Sequence, residues 1–189
     1  AAMEKNPLAR TLDTICDSLQ QALGCRACCI FLFDKASQTL EIEAAAGLKP
    51  HWRKMAKLKL GEGAAGQAAA EARTVYLPDT HQDPNFIFFD AEVRSLMVTP
   101  LFAHGEVIGT IDVDDSLPNA FGPTQERLLT IIAAQAGIAI ENAQLFAQAQ
   151  QEIAERIRVE EILEAERAML TRRVAERTAD LSAANTELA

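Results

Sequence analysis

The chain has 189 residues, of which 49% are hydrophobic, and a formal net charge of −9 at pH 7. This length and apolar content predict one domain with a real core and an appendage. The acidic balance argues against nucleic acid and anionic membranes as partners, since both attract basic surfaces. With no long apolar run and no signal peptide at the start, we expect a cytoplasmic chain without direct membrane contact.

An amphipathic helix is predicted first. Its apolar residues recur every three or four positions, which is the spacing of one helix face. They are Leu8, Leu12, Ile15 and Leu19. Pro7 suits the first turn of this helix and Gly24 its end. We expect residues 1–24 to form a dimerisation element in which this stripe packs against its copy.

A hairpin follows, with strands "ACCIFLFD" and "TLEIEAAA" joined by "KASQ". Cys28 and Cys29 are adjacent in the first strand, so their side chains point to opposite faces and can hardly share a metal ion. A structural zinc site would need a second cysteine pair, which the sequence lacks. No metal is therefore predicted, and Cys25, Cys28 and Cys29 are candidates for redox sensing or, more simply, small buried residues.

The stretch "KLKLGEGAAGQAAAEAR" contains a G-x-G-x-x-G motif at Gly61, Gly63 and Gly66. A dinucleotide-binding loop would need a fully buried first strand and a long helix. Here the strand alternates Lys and Leu, and the following helical segment is short. The motif is better interpreted as a tight turn into a short helix, where glycine tolerates backbone angles that other residues avoid.

The next segment, residues 79–94, is a polar and aromatic loop, and a second hairpin follows with its turn at His104–Gly105. Pro100 inside the first arm indicates a strand edge or a bulge, because proline donates no ladder hydrogen bond. The densest carboxylates lie near the end of the second arm. They are Asp112, Asp114 and Asp115. We interpret them as a solvated rim at the strand end rather than as an acid–base pair.

The last helix is predicted to begin at Pro123 or Thr124 and to continue to Ala189 without interruption. Its second part, residues 149–189, thins to an apolar stripe of the coiled-coil type, with a stutter between Ile157 and Leu163. The stripe consists of Leu163, Leu170, Val174, Leu181 and Leu188. Such a helix is not stable alone in water. A parallel homodimer through this stripe is predicted, and a fold-back of the tail on the domain is the alternative.

Three phrases in this order resemble a GAF domain: "LKLGEGAAGQAAAEARTVYLPD", "VRSLMVTPLFAHGEVIGTIDV" and "NAFGPTQERLLTIIAAQAGIAIENAQLF". The resemblance covers about residues 8–148, and we assign residues 25–148 to the sensory domain. It implies an α+β fold with a central antiparallel sheet, N- and C-terminal helices on one face, and here a long coiled-coil helix in addition. "VAERTADLSAANTEL" is similar to the signalling helices of sensor histidine kinases.

The family binds small molecules between the sheet and its covering loops. By this resemblance the loop 79–94 roofs the pocket, and its aromatic residues are either pocket lining or hydrophobic core that fills the pocket. The pocket candidates are Phe86, Phe88, Phe89, Arg94, Met97, Thr99 and Ile111. The chain has no cysteine after Cys29, which excludes a covalent bilin at the usual position. We predict no cofactor and no metal, while an unknown small ligand remains open.

The resemblance implies a sensory module, not itself an enzyme. We expect it to act as a homodimer through its N- and C-terminal helices. It would relay a small-molecule or redox signal to a C-terminal output domain in cis, expected to be a histidine kinase. The alternatives are a sensor of a diguanylate cyclase, or a cysteine-dependent enzyme of the methionine sulfoxide reductase type.

Overall fold

The helices and strands occur in the predicted order. The computed structural model describes residues 7–49, 51–84, 86–87 and 90–187. The helices are α1 (Pro7–Leu23), α2 (Trp52–Met55), α3 (Gly63–Glu71) and α4 (Pro123–Glu187), with a 3₁₀ turn at Thr80–Gln82. The strands are β1 (Ala27–Asp34), β2 (Thr39–Ala46), β3 (Lys57–Lys59), β4 (Val75–Leu77), β5 (Ser95–Ala103) and β6 (Glu106–Asp115).

The six strands form one antiparallel sheet in the order β3-β2-β1-β6-β5-β4. Strand β6 is central and pairs with β1 on one side and β5 on the other. Strand β4 pairs with β5 only from Leu96 to Val98. Pro100 therefore lies beyond the last β4 partner, next to a bulge between Leu101 and Phe102, which agrees with the predicted edge or bulge.

One face of the sheet, called here the helix face, is covered by α1 and by the first part of α4. Its core includes Leu12, Ile30, Ile111, Leu129 and Ile140, all fully buried. The α1 stripe thus packs inside its own domain. This corrects the expectation that the stripe binds a second copy: Leu12 and Leu19 are fully buried, and Leu8 and Ile15 are partly buried against the same core.

The other face, called here the pocket face, lies under α3 and the segments around it. Its core includes Leu40, Leu58, Ala68 and Val98. The glycine motif forms the predicted tight turn, with φ of +83° at Gly61 and +61° at Gly63. At Gly66 an added Cβ would strike the backbone oxygen of Lys59. Close packing of backbone against backbone therefore explains this glycine without a bound nucleotide.

The chain divides into two compact units, Ala1–Ala143 and Gln144–Ala189. The segment Pro123–Ala175 contains a window that is long and apolar enough to cross a membrane. In the first unit, however, the apolar side chains of this helix pack in the domain core, as is common for core helices. They include Leu129, Ala133 and Ala136. The second unit is helical through Glu187, and Leu188 lies outside the described residues. The predicted boundaries 1–24, 25–148 and 149–189 stay predictions.

Candidate ligand-binding site

A cavity of about 90 Å³ lies on the pocket face. Its walls are mainly apolar and include Phe31, Ile42, Trp52, Leu58, Phe86 and Ile87. Four charged residues also line it, and three of them are joined by ion pairs of Arg26 with Asp90 and Asp114; the fourth is Asp112. An apolar cavity with a few convergent polar groups is the usual form of a small-molecule site.

The two aspartates of β6 reach the cavity because side chains alternate along a strand. On the helix face, β6 contributes Ile111 and Val113 to the core. On the pocket face, it contributes Asp112 and Asp114 to the cavity lining. In the ladder with β1, Asp112 is paired with Cys29. Only 8% of Asp112 and 9% of Asp114 is exposed, so both carboxyl groups are removed from bulk water.

Burial controls the charge of these two groups. It raises the pKa of Asp112 to about 8, and the neighbouring Asp114 adds to this, while the hydroxyl of Thr110 donates to Asp112 Oδ1 at 2.9 Å and opposes it. The pKa of Asp114 is raised to about 6 by burial, against the attraction of Arg26. Asp112 is thus largely protonated at neutral pH, because burial disfavours its charged form.

Arg26 connects the sheet to the segment around Asp90, called here the covering segment, which lines the cavity. Its Nε donates to Asp114 Oδ1 at 2.8 Å, and its Nη1 donates to Asp90 Oδ2 at 3.1 Å. Lys49 Nζ also lies 3.4 Å from Asp90 Oδ2. Burial acts to raise the pKa of Asp90, but the N–H of Glu92 and the Arg26 guanidinium outweigh it, and the net shift is downward. Asp90 therefore stays ionised and ties the covering segment to β1 and β6.

The predicted pocket residues divide between the two faces. Phe86 lines the cavity, whereas Phe88 and Phe89 lie outside the described residues. Arg94 lies outside the lining and forms a two-point ion pair with Asp79, at 3.1 Å and 2.9 Å.

The expectation for Met97, Thr99 and Ile111 is corrected by the strand register. Thr99 pairs directly with Ile111, and Met97 stands two residues before Thr99, so all three share one face. Met97 and Ile111 belong to the core of the helix face. The alternate residues Leu96 and Asp112 line the cavity instead. An error of one residue in a strand exchanges the two faces completely.

The interpretation of the β6 carboxylates as a solvated rim is wrong for two of the three. Asp112 and Asp114 are buried at the cavity, while Asp115 is partly exposed and accepts from the N–H of Leu117 at 2.9 Å. The sequence did contain a pattern that could have shown this. In "TIDVDD" acids alternate with β-branched residues, which predicts one apolar and one acidic face if the strand is central.

All four cysteines are buried and free. Cys28 belongs to the helix face and Cys29 to the pocket face, as predicted from their adjacency. Burial raises the pKa of Cys25 to about 11, with Asp114 adding to the shift. Burial also raises the pKa of Cys29 well above its usual value, and Asp112 contributes. Cys29 is the redox candidate that lines the cavity, and its thiol is held protonated.

Within the described part of the chain, no group of three or more His, Cys, Asp or Glu side chains could hold a metal ion. The charged lining of the cavity combines carboxyl groups with one guanidinium. Such a set can bind a small polar organic molecule through hydrogen bonds and ion pairs.

The model of the GAF domain matches residues 7–140. The chain therefore belongs to the GAF domain family.

Two curated proteins and one solved structure show which kinds of protein this chain is similar to. "GAF domain-containing protein A" of Dictyostelium discoideum is 33% identical over 76 residues, 40% of this chain and 48% of that protein. A free methionine-R-sulfoxide reductase of Escherichia coli (strain K12) is 30% identical over 79 residues, 42% of this chain and 48% of that protein. A solved structure is similar as well, that of free methionine-R-sulfoxide reductase from Neisseria meningitidis in complex with its substrate. It has a TM-score of 0.68 and 26% identity, and the match covers 76% of this chain and 83% of that one.

These relatives correct one expectation. We expected a chain that is not itself an enzyme, and the proteins it resembles include enzymes of the same fold. The chain spans about half the length of the two curated relatives. The comparisons thus establish the family and the fold and leave the specific activity to be proposed.

Proposed function

We propose that this GAF domain binds a small amine-bearing molecule of the free amino acid class in the cavity of the pocket face. The observation that carries the proposal is Asp112, a buried carboxyl group at an apolar cavity. Its hydrogen-bond partner is the Thr110 hydroxyl, and no cation among the described residues forms an ion pair with it. Arg26 pairs instead with Asp114 and Asp90.

A ligand ammonium group would offset the free-energy cost of ionising the buried carboxyl group of Asp112. Ionising a carboxyl group in an apolar site is costly unless a cation and hydrogen bonds accompany it. A ligand ammonium would favour the ionised form of Asp112 and displace its proton. The groups that face Asp112 are Asp114 on the same strand, Cys29 and Arg26 on the β1 side, and Asp90 in the covering segment, so the site is net acidic and suits a cation.

The relatives suggest a first probe. The similar Neisseria meningitidis structure holds the substrate of a free methionine-R-sulfoxide reductase. L-methionine sulfoxide carries an ammonium group, a carboxylate and a short side chain that combines methylene and methyl groups with one sulfoxide oxygen. It is therefore the ligand that we would test.

Binding can be followed through Trp52, because the chain has one tryptophan and Trp52 lines the cavity. We expect saturable quenching or enhancement of its fluorescence by L-methionine sulfoxide. Asp112→Asn should weaken binding at least tenfold, since a hydrogen bond to a charged group contributes about 1.5–3 kcal/mol. Asp115→Asn, a carboxyl on the same strand outside the cavity lining, should bind within twofold of the unaltered chain. Equal loss in both variants would contradict the assignment of Asp112.

Reduction of the bound molecule is one function that such binding would serve. Reducing a sulfoxide releases its oxygen as water and oxidises two thiols to a disulfide. Cys29 lines the cavity and could supply one thiol, with a soluble dithiol such as dithiothreitol completing the reaction. Its raised pKa makes this thiol a slow nucleophile at neutral pH. The expected result is dithiothreitol-dependent formation of methionine that Cys29→Ser abolishes and Cys25→Ser retains. No methionine above the protein-free rate would exclude this candidate.

Signal relay is the second candidate function, and the second unit of the chain supports it. Leu163, Leu170 and Val174 are 53%, 60% and 64% exposed, although apolar side chains at heptad spacing normally pack against another helix. We propose that these residues, with Leu181 and Leu188, form a parallel homodimeric coiled coil. It would lead to an output domain in cis, a histidine kinase or a diguanylate cyclase, in the cytoplasm.

Cysteine cross-linking tests this dimer. The native cysteines are buried and can remain in place. Leu170→Cys should form a disulfide-linked dimer within minutes under mild oxidation, because a parallel pair places the two copies of residue 170 side by side. Ala168→Cys, which faces away from the stripe, should cross-link at least tenfold more slowly. A monomer in analytical ultracentrifugation, or equal cross-linking at both positions, would contradict the parallel coiled coil.

A further inference from the structure

Arg26 is fixed in the cavity lining by its backbone as well as its side chain. Its N–H donates to the carbonyl oxygen of Asp114 at 2.9 Å, and its carbonyl oxygen accepts from Gln20 Nε2 at 2.8 Å. An added Cβ at Gly47 would strike that same carbonyl oxygen. The position of the Arg26 side chain is therefore set by β6, α1 and the segment after β2 together.

The guanidinium group uses only part of its hydrogen-bonding capacity. Nε is bonded to Asp114 and Nη1 to Asp90. Nη2 is buried and lacks a hydrogen-bond partner in the part of the chain that the structure describes. Buried polar groups in folded proteins are almost always hydrogen-bonded. A free donor on a side chain that lines a cavity therefore points to an acceptor on the molecule that fills it.

The charges around Arg26 restrict what that acceptor can be. Its guanidinium already contacts the carboxylates of Asp90 and Asp114, and Glu92 Oε2 lies 3.7 Å from Nη1. As the acceptor at Nη2, an anionic group, including the carboxylate of an amino acid, would be repelled by these carboxylates at short range. An uncharged oxygen acceptor has no such penalty and can still accept from Nη2.

We infer that Arg26 is a specificity-determining residue, whose Nη2 donates a hydrogen bond to an uncharged oxygen of the bound molecule, such as a sulfoxide or amide oxygen. The inference rests on the proposed function, in which Asp112 receives the ammonium group of the same ligand. Asp112 would then recognise the amine, and Arg26 would distinguish molecules with the oxygen from those without it.

The experiment compares L-methionine sulfoxide with L-methionine, which lacks only the sulfoxide oxygen. Trp52 fluorescence gives both dissociation constants. The unaltered chain should bind the sulfoxide at least tenfold more tightly than methionine. Arg26→Lys keeps the positive charge but loses the guanidinium fork, and it should reduce this preference to threefold or less. Arg73→Lys makes the same change at an exposed arginine outside the cavity lining and should retain the preference.

A second measurement does not depend on the folding of Arg26→Lys. In the unaltered chain, the NMR resonances of the Arg26 guanidinium should shift on addition of L-methionine sulfoxide and stay in place with L-methionine. Equal affinity for the two probes with an unshifted guanidinium would overturn the role of Arg26 while leaving the amine site intact. Failure of both probes to bind would overturn the proposed function and this inference together.

Discussion

The two faces of the central sheet bury their side chains in opposite ways. The helix face packs aliphatic residues and thiols under α1 and α4, and its large residues Leu12, Ile30 and Ile111 are fully buried. The pocket face, on the same strands, buries Asp112 and Asp114 beside a cavity. Strand β6 contributes to both, since Ile111 and Asp112 are neighbours in sequence.

Both faces contribute an apolar core, and the pocket face adds buried carboxyl groups beside a cavity that can hold a ligand. Apolar burial lowers the free energy of the folded state on the helix face. A carboxyl group held protonated by burial does the reverse, and natural proteins keep such groups chiefly at functional sites. The predictions below are designed to separate the two faces by experiment.

The largest effect is expected from truncation on the helix face. Ile111→Ala removes a fully buried side chain and should lower the free energy of unfolding by about 2–5 kcal/mol, measured by urea denaturation. Leu96→Ala, on the pocket face and only partly buried, should cost less stability but change the affinity for L-methionine sulfoxide. If Ile111→Ala altered affinity and Leu96→Ala did not, the assignment of the faces would be reversed.

A smaller loss is expected at the glycine turn that borders the pocket face. The Cβ of Gly66→Ala would strike the backbone oxygen of Lys59, so overpacking should cost about 1–3 kcal/mol in thermal unfolding. Gly122→Ala is the matched control, because its Cβ would meet Gln125 Oε1 at an ordinary 3.5 Å. Equal stability of the two variants would show that the turn tolerates a side chain at residue 66 and that close backbone packing does not explain the glycine there.

A pH dependence of stability is expected from the pocket face. Asp112 has a pKa of about 8 in the folded chain, against about 4 in an unfolded one. Between these values the folded state binds more protons, so stability falls as pH rises from about 4 to about 8, with a slope of up to about 1.4 kcal/mol per pH unit. Asp112→Asn should flatten this slope in urea denaturation followed across that range. An unchanged slope would assign the titration to other groups.

Much of the fold could be predicted from the sequence, since local patterns decide it. The strand pattern "ACCIFLFD", the turn "KASQ" and the glycine turn correspond to β1, the first hairpin loop and the entry to α3. The opposite orientations of Cys28 and Cys29 also followed from simple alternation. Resemblance to the GAF family supplied the topology, which no local pattern contains.

The pocket could be predicted only in part. The face that each strand turns to it and the ion pair between Arg26 and Asp90 both depend on contacts between distant parts of the chain. Phe86 was predicted from the aromatic loop, whereas the three β5 and β6 residues were assigned to the wrong face. The face of a strand is decided by what packs against it, and this is not visible in one strand alone. Arg26 and Asp90 are 64 residues apart, and nothing in their local sequence indicates that they meet.

The most direct test of the central claim is the pKa of Asp112, measured by ¹³C NMR titration of its carboxyl carbon with and without saturating L-methionine sulfoxide. We expect a pKa of about 8 in the free domain, because burial disfavours the carboxylate. Binding of the ligand ammonium should lower it by at least one unit, since the cation favours the ionised form. A pKa near 4 in the free domain, or a raised pKa that saturation with the ligand leaves unchanged, would contradict an amine site at Asp112.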